Sequence, residues 1–165
     1  MEQKLTMTAN MRSEIEEEIK RAFAQVGPDE KRLASILSLL SLKPIEESLF
    51  MTYKIWIGDG RLIFPPMAII RAMLLKELKG IRSYRKLNAY LYHNPTESRL
   101  LGFETFLPSN QTFSLIGTKK IDSEMKELMY FVVNRIKRFV NENGIHLDII
   151  SSQMSSRANS KHTIQ

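Results

Sequence analysis

The residues with the clearest chemical reading lie between Arg82 and Lys120. Asn110, Gln111 and Thr112 follow Ser109, a residue suited to cap a helix, so they fall in a helix's first turn. A side-chain amide can pair bidentately with adenine, and a threonine methyl can touch the thymine methyl. Arg82, Arg85, Lys86, Lys119 and Lys120 sit at neighbouring helix ends, where cations meet phosphates and fix position rather than sequence. The chemistry this pattern offers is recognition of double-stranded DNA, not bond-making. A helical bundle with a basic surface that binds nothing charged is the competing reading of the same residues.

Other chemistries find less support. There are no cysteines, which removes disulfides, thiolate nucleophiles and Cys-based metal sites. His93, His146 and His162 are far apart and lack metal-ligand spacing. Glu14, Glu16, Glu17 and Glu18 form an acidic cluster, read as a solvated face near a helix N-terminus, where the helix dipole favours negative charge. No catalytic residue, metal ligand or cofactor is assigned on these grounds.

The elements that must position the candidate residues are helices. Ile15, Ile19, Ala22, Phe23 and Val26 share one stripe of a first helix, which Gly27-Pro28 ends. Pro28 is suited to open a second helix, with Leu33, Ile36, Leu37 and Leu40 on one face and Pro44 as its stop. From Phe50 to Phe64 the pattern is mixed, and an irregular connection is expected, with Trp56 as a core or lid aromatic.

Pro65-Pro66 open a helix through Lys79 that Gly80 closes. Ser83 is the expected cap of the next, with Leu87, Tyr90 and Leu91 inside. Asn94-Pro95-Thr96-Glu97 reads as a cap, a first-turn proline and a carboxylate at the third helical position, opening a short helix that stops at Gly102. Ser109 caps a helix to about Lys120. Met125, Leu128, Met129, Val132, Val133, Ile136 and Val140 form the stripe of a long helix that Asn143-Gly144 ends. Ile145 to Ile150 is a strand-like run, and the polar tail after it is expected to be disordered.

The expected fold is thus all-α: a small helical bundle with a helix–turn–helix-like unit and a short strand-like or disordered C-terminal stub. Charge is uneven along it. Residues 1–50 carry a net −2 and residues 51–165 a net +8, within a total of +6. A basic half suits a polyanionic partner, because Lys and Arg release counterions from phosphates. The apolar run from Leu33 to Leu42 falls far short of the roughly 20 residues that span a bilayer. The N-terminus also lacks the apolar core of a signal peptide. A cytoplasmic protein without a membrane partner is the expectation.

The run from Gly60 to Ile121, GRLIFPPMAIIRAMLLKELKGIRSYRKLNAYLYHNPTESRLLGFETFLPSNQTFSLIGTKKI, resembles the N-terminal domain of InsH-like, DDE-type insertion-sequence transposases. The features in common, in order, are Gly60-Arg61, Pro65-Pro66, Gly80, Ser83, Arg85 and Leu87. Leu101-Gly102, Pro108-Ser109 and Thr112-Phe113 follow. The resemblance covers residues 50–125 well and the first fifty loosely. Several of these residues also have structural readings, and Arg85 stays open between pairing with Glu77 and contacting phosphate.

The resemblance implies a helical domain that binds transposon terminal repeats ahead of a ribonuclease H-like catalytic domain. Intact relatives would need a divalent metal such as Mg, held by three carboxylates. The stretch similar to the first of these, LDIISSQMSSRANSKH, places Ser152 where the aspartate would stand, with Asp148 four residues earlier. The expectation is a truncated, non-enzymatic front end. Residues 1–49 would form a helical pair, 50–122 the DNA-binding domain, 123–143 a linker helix, and 144–165 a remnant of the first catalytic strand. Its expected partners are terminal-repeat DNA and a homo-oligomer or a mixed oligomer with an intact transposase. The alternative is a helical protein-interaction remnant or regulator without specific DNA binding.

Overall fold

The computed structural model describes residues 9–27, 32–43, 45–47, 64–104 and 106–147, except for the side chain of Lys120. Within them the chain is all-α. The helices are α1 (Ala9–Gln25), α2 (Arg32–Leu39), α3 (Pro66–Lys79), α4 (Tyr84–His93), α5 (Pro95–Leu101), α6 (Asn110–Leu115) and α7 (Ser123–Glu142). A π-helical turn, Ile116–Lys120, prolongs α6.

Helix α3 is the hub. It packs against α2, α5 and α7, while α1 lies against α2 and α7, and α4 against α5 and α6. Neighbours on several sides explain why α3 is apolar almost all round rather than along one stripe: Ala68, Ile69, Ile70, Ala72, Leu74, Leu75 and Leu78 are all fully buried. Truncating one of its large side chains would cost about 2–5 kcal/mol. The core is continuous from Ile15 in α1 to Val140 in α7.

Local chemistry sets most helix ends as the sequence indicates. Pro66 opens α3, and Gly80, at φ 70°, closes it by donating to the carbonyls of Glu77 and Lys76. The Ser83 hydroxyl accepts from the Lys86 amide, and Ser109 accepts from that of Thr112. Asp122 caps α7 through the Met125 amide at 2.8 Å. Gly144, at φ 61°, lets the Ile145 amide reach back to the Val140 carbonyl at 3.0 Å. Every expected stripe residue of α7 is buried except Met129, which is half-buried.

Two expectations need correction. Asn94 does not cap α5 with its side chain; its amide turns back and donates to the Tyr90 carbonyl at the end of α4. Glu97 stands at the third helical position of α5 as expected, but it is buried there and its carboxylate accepts from the Tyr90 hydroxyl. Helix α2 ends at Leu39, ahead of Pro44, and Leu42 then takes a left-handed φ of 46°. That conformation costs a non-glycine residue on the order of 1 kcal/mol. It turns the Leu42 carbonyl to accept from the amides of Ile45 and Glu46.

The acidic cluster is also less free than expected. Glu16 pairs with Arg135 of α7 at 3.0 Å, and Glu18 accepts from the amide and hydroxyl of Ser41. Residues 145–147 have no regular structure. Residues 50–63 of the mixed segment, with Trp56, the opening of the second helix at Pro28, and the strand-like run and tail beyond Leu147 lie outside the described residues.

Candidate nucleic-acid interface

Helices α4, α5 and α6 form the unit that carries the candidate residues. Its corners are fixed by polar groups with short local reach. Ser98 donates to the Leu91 carbonyl at 2.6 Å, locking the α4–α5 corner. Gly102, at φ 121°, ends α5, and a Cβ there would lie 3.0 Å from that of Ala68 in α3. The Asn88 amide donates to the Pro108 carbonyl at 2.7 Å, bringing the start of α6 to the middle of α4.

The two helices then run back along each other. Tyr84, at the start of α4, lies parallel to Phe113 with ring centroids 6.4 Å apart, and Phe103 meets Phe113 edge-on at 6.3 Å. At the far end Gly117 lies under Tyr84. A Cβ on Gly117 would run into the tyrosine hydroxyl and come within 2.7 Å of its Cζ. Only glycine permits that approach. The π turn, with Ile121 donating to Ile116 five residues earlier at 3.1 Å, brings Gly117 to this place. Burial, with Glu77 and Tyr130 as additional causes, pushes the Tyr84 hydroxyl above its ordinary pKa of 10.0, so the ring stays neutral.

The geometry sorts the candidates. Gln111 is exposed in the first turn of α6, whereas Asn110 is half-buried. Thr112 is half-buried too, its hydroxyl 3.1 Å from that of Ser109. Arg85, Lys86 and Lys119 are exposed and have no ion-pair partner among the described residues. Arg82 is exposed but engaged in an interaction. Lys120 closes the π turn in its backbone. Tyr84 packs at the end of α6, so Arg85 and Lys119 belong to the π-turn end of the unit and Gln111 to the opposite end. Glu77 pairs with Lys76 at 3.7 Å, not with Arg85.

Two contributors were not assigned from sequence. Thr118 is exposed and donates to the Ser114 carbonyl at 2.7 Å. Arg71, in the middle of α3, donates to the carbonyls of Leu37, Leu40 and Leu101 at 3.0, 3.3 and 3.3 Å. It thereby ties the C-terminal ends of α2 and α5, where the helix dipoles favour a cation. Burial holds its guanidinium below the ordinary arginine range, partly offset by Glu46. A lone Arg within PMAIIRAMLLK and an isolated Gly within a helical pattern were the available signals.

Among the described residues no three His, Cys, Asp or Glu side chains gather as metal ligands. Asp148 and Ser152 lie outside the described residues. No described helix is long and apolar enough to cross a membrane.

The fold and this unit define a small all-α domain with a basic, helix-edged surface. Residues 21–118, more than half of the chain, match the family described as Transposase domain (DUF772), and the chain belongs to that family. The match starts inside α1 and ends within the π turn, so it includes much of the first fifty residues. No curated protein and no solved structure matches the chain.

Proposed function

We propose that this domain binds duplex DNA at the ends of a transposable element through a helix–turn–helix made of α4, α5 and α6. The observation that carries the reading is the packing of α6 against α4, which leaves Gln111 exposed at one end of the unit and Arg85, Lys86 and Lys119 exposed elsewhere on it, without an ion-pair partner among the described residues. Membership of a transposase-domain family supports it. Gln111 is the base reader at the N-terminal turn, where such helices meet the major groove. Arg85, Lys86 and Lys119 contact phosphate, with Arg82 and Lys120 as neighbours. Asn110 and Thr112 hold the turn more than they read bases.

On this reading the chain recognises DNA in the cytoplasm and does not itself cut or join it. It would act as the end-binding domain of a transposase-family protein, alone or mixed with an intact transposase. The test is fluorescence anisotropy with duplexes flanking the coding region and with scrambled duplexes, across a salt series. The flanking duplexes should bind more tightly. Gln111→Ala should narrow that preference, while Arg85→Ala and Lys119→Ala should weaken all duplexes and lower the salt slope by about 1 each. Equal binding of every duplex would reduce the reading to electrostatics, and no binding at low salt would remove it. Strand cleavage by this chain in Mg2+ would overturn the non-enzymatic part.

A further inference from the structure

We infer that a second copy of this chain docks, about a two-fold axis, on the groove where α4 meets α5. Tyr92 and Phe106 are 74% and 73% exposed, the two most exposed large hydrophobic side chains among the described residues. Both line one groove of about 290 Å3, whose floor includes Leu91, Phe103 and Leu107. Isolated exposed apolar residues are ordinary; two large rings on one apolar groove mark an interaction surface.

The charge on the rim selects the partner. Arg99 and Glu104 line the same groove, are both exposed, and have no ion-pair partner among the described residues. One cation and one anion beside an apolar centre are complementary to themselves. In an isologous contact the Arg99 of each copy would face the Glu104 of the other. Duplex DNA suits the groove less well, because Glu104 would oppose phosphate.

Aromatic side chains bury about 150–250 Å2 each, so two rings per copy bring well under 1,200 Å2 to the interface. That is the range of weak, transient association. The dimer should therefore form at tens to hundreds of micromolar rather than at nanomolar concentration.

Sedimentation equilibrium of the full chain without DNA, from about 1 to about 300 µM, tests this. The mass should rise from one chain toward two. Tyr92→Ser combined with Phe106→Ser, both on exposed rings, should raise the dimer Kd by about tenfold or more. Arg99→Glu alone should raise it about fivefold, and adding Glu104→Arg should bring it back. A wild-type chain that stays monomeric overturns the inference. So does a dimer indifferent to the aromatic pair, or one that the reversed charge pair fails to restore. Because no DNA is present, the outcome is independent of duplex binding: a monomer that binds duplex refutes only the dimer, and a dimer that binds none refutes only the DNA reading.

Discussion

In α1, α3 and α7, several charged side chains work within the fold. Arg71 serves three carbonyls, Arg135 reaches Glu16, Glu18 holds Ser41, and Arg138 meets Glu142. In the stretch from Gly80 to Lys120 the balance reverses. It carries six Lys and Arg against two Glu, and one of those, Glu97, is buried against Tyr90. Arg85, Lys86, Arg99 and Lys119 have no ion-pair partner among the described residues. The difference teaches where selection for folding ends. Charges that join helices are satisfied internally, while those on the α4–α6 unit are available to something outside the chain.

Substitutions in the two regions should therefore differ in kind. The largest effect is expected at Arg71. Arg71→Met leaves the carbonyls of Leu37, Leu40 and Leu101 without their donor in a half-buried site, a loss of about 3 kcal/mol by urea denaturation. A loss below about 0.5 kcal/mol would break the comparison, since Arg71 would then be as dispensable as a surface cation.

Gly117→Ala comes next. Tyr84 must be displaced from Phe113, at about 1–3 kcal/mol of stability. Tyr84→Phe in the same chain should rescue it only in part, because the Cζ would still be 2.7 Å from the new Cβ. Full rescue would place the clash in the hydroxyl alone.

Arg85→Ala, Lys86→Ala and Lys119→Ala should each change stability by less than about 0.5 kcal/mol. Their effect should appear instead as weaker, less salt-dependent binding to duplex DNA. A stability loss comparable with that of Arg71→Met would show that these cations belong to the fold after all.

The smallest effect concerns pH. Tyr84 has a raised pKa in the folded chain, so the fold favours its neutral form. Its contribution is fully present below about pH 10 and is lost as pH rises through the raised folded value. Thermal melts toward alkaline pH should show this limb, and Tyr84→Phe should flatten it. An unchanged limb would assign the alkaline loss to other groups.

Much of the fold was legible along the chain. Pro66, Gly80, Ser83, Gly102, Ser109 and Gly144 each mark a helix boundary through contacts within a turn or two, and spacing encodes such contacts directly. The candidate site was legible as a set of residue types. How exposed each residue is was not. Asn110, Gln111 and Thr112 read alike as polar first-turn residues, yet one is exposed and two are half-buried.

Asn94 and Glu97 show the limit most plainly. As a pattern they form a helix start, and they do open α5; what the pattern does not carry is that the Asn94 amide donates back to the preceding helix and that Glu97 meets a tyrosine seven residues earlier. By itself the sequence determined that this is a helical transposase-family domain with a basic second half, because periodicity, caps and charge are local properties. Only the tertiary structure decided which cations remain unpaired, why Gly117 must be glycine, and that Arg71 joins two helix ends. Those depend on partners as many as 34 residues away, which only packing brings together.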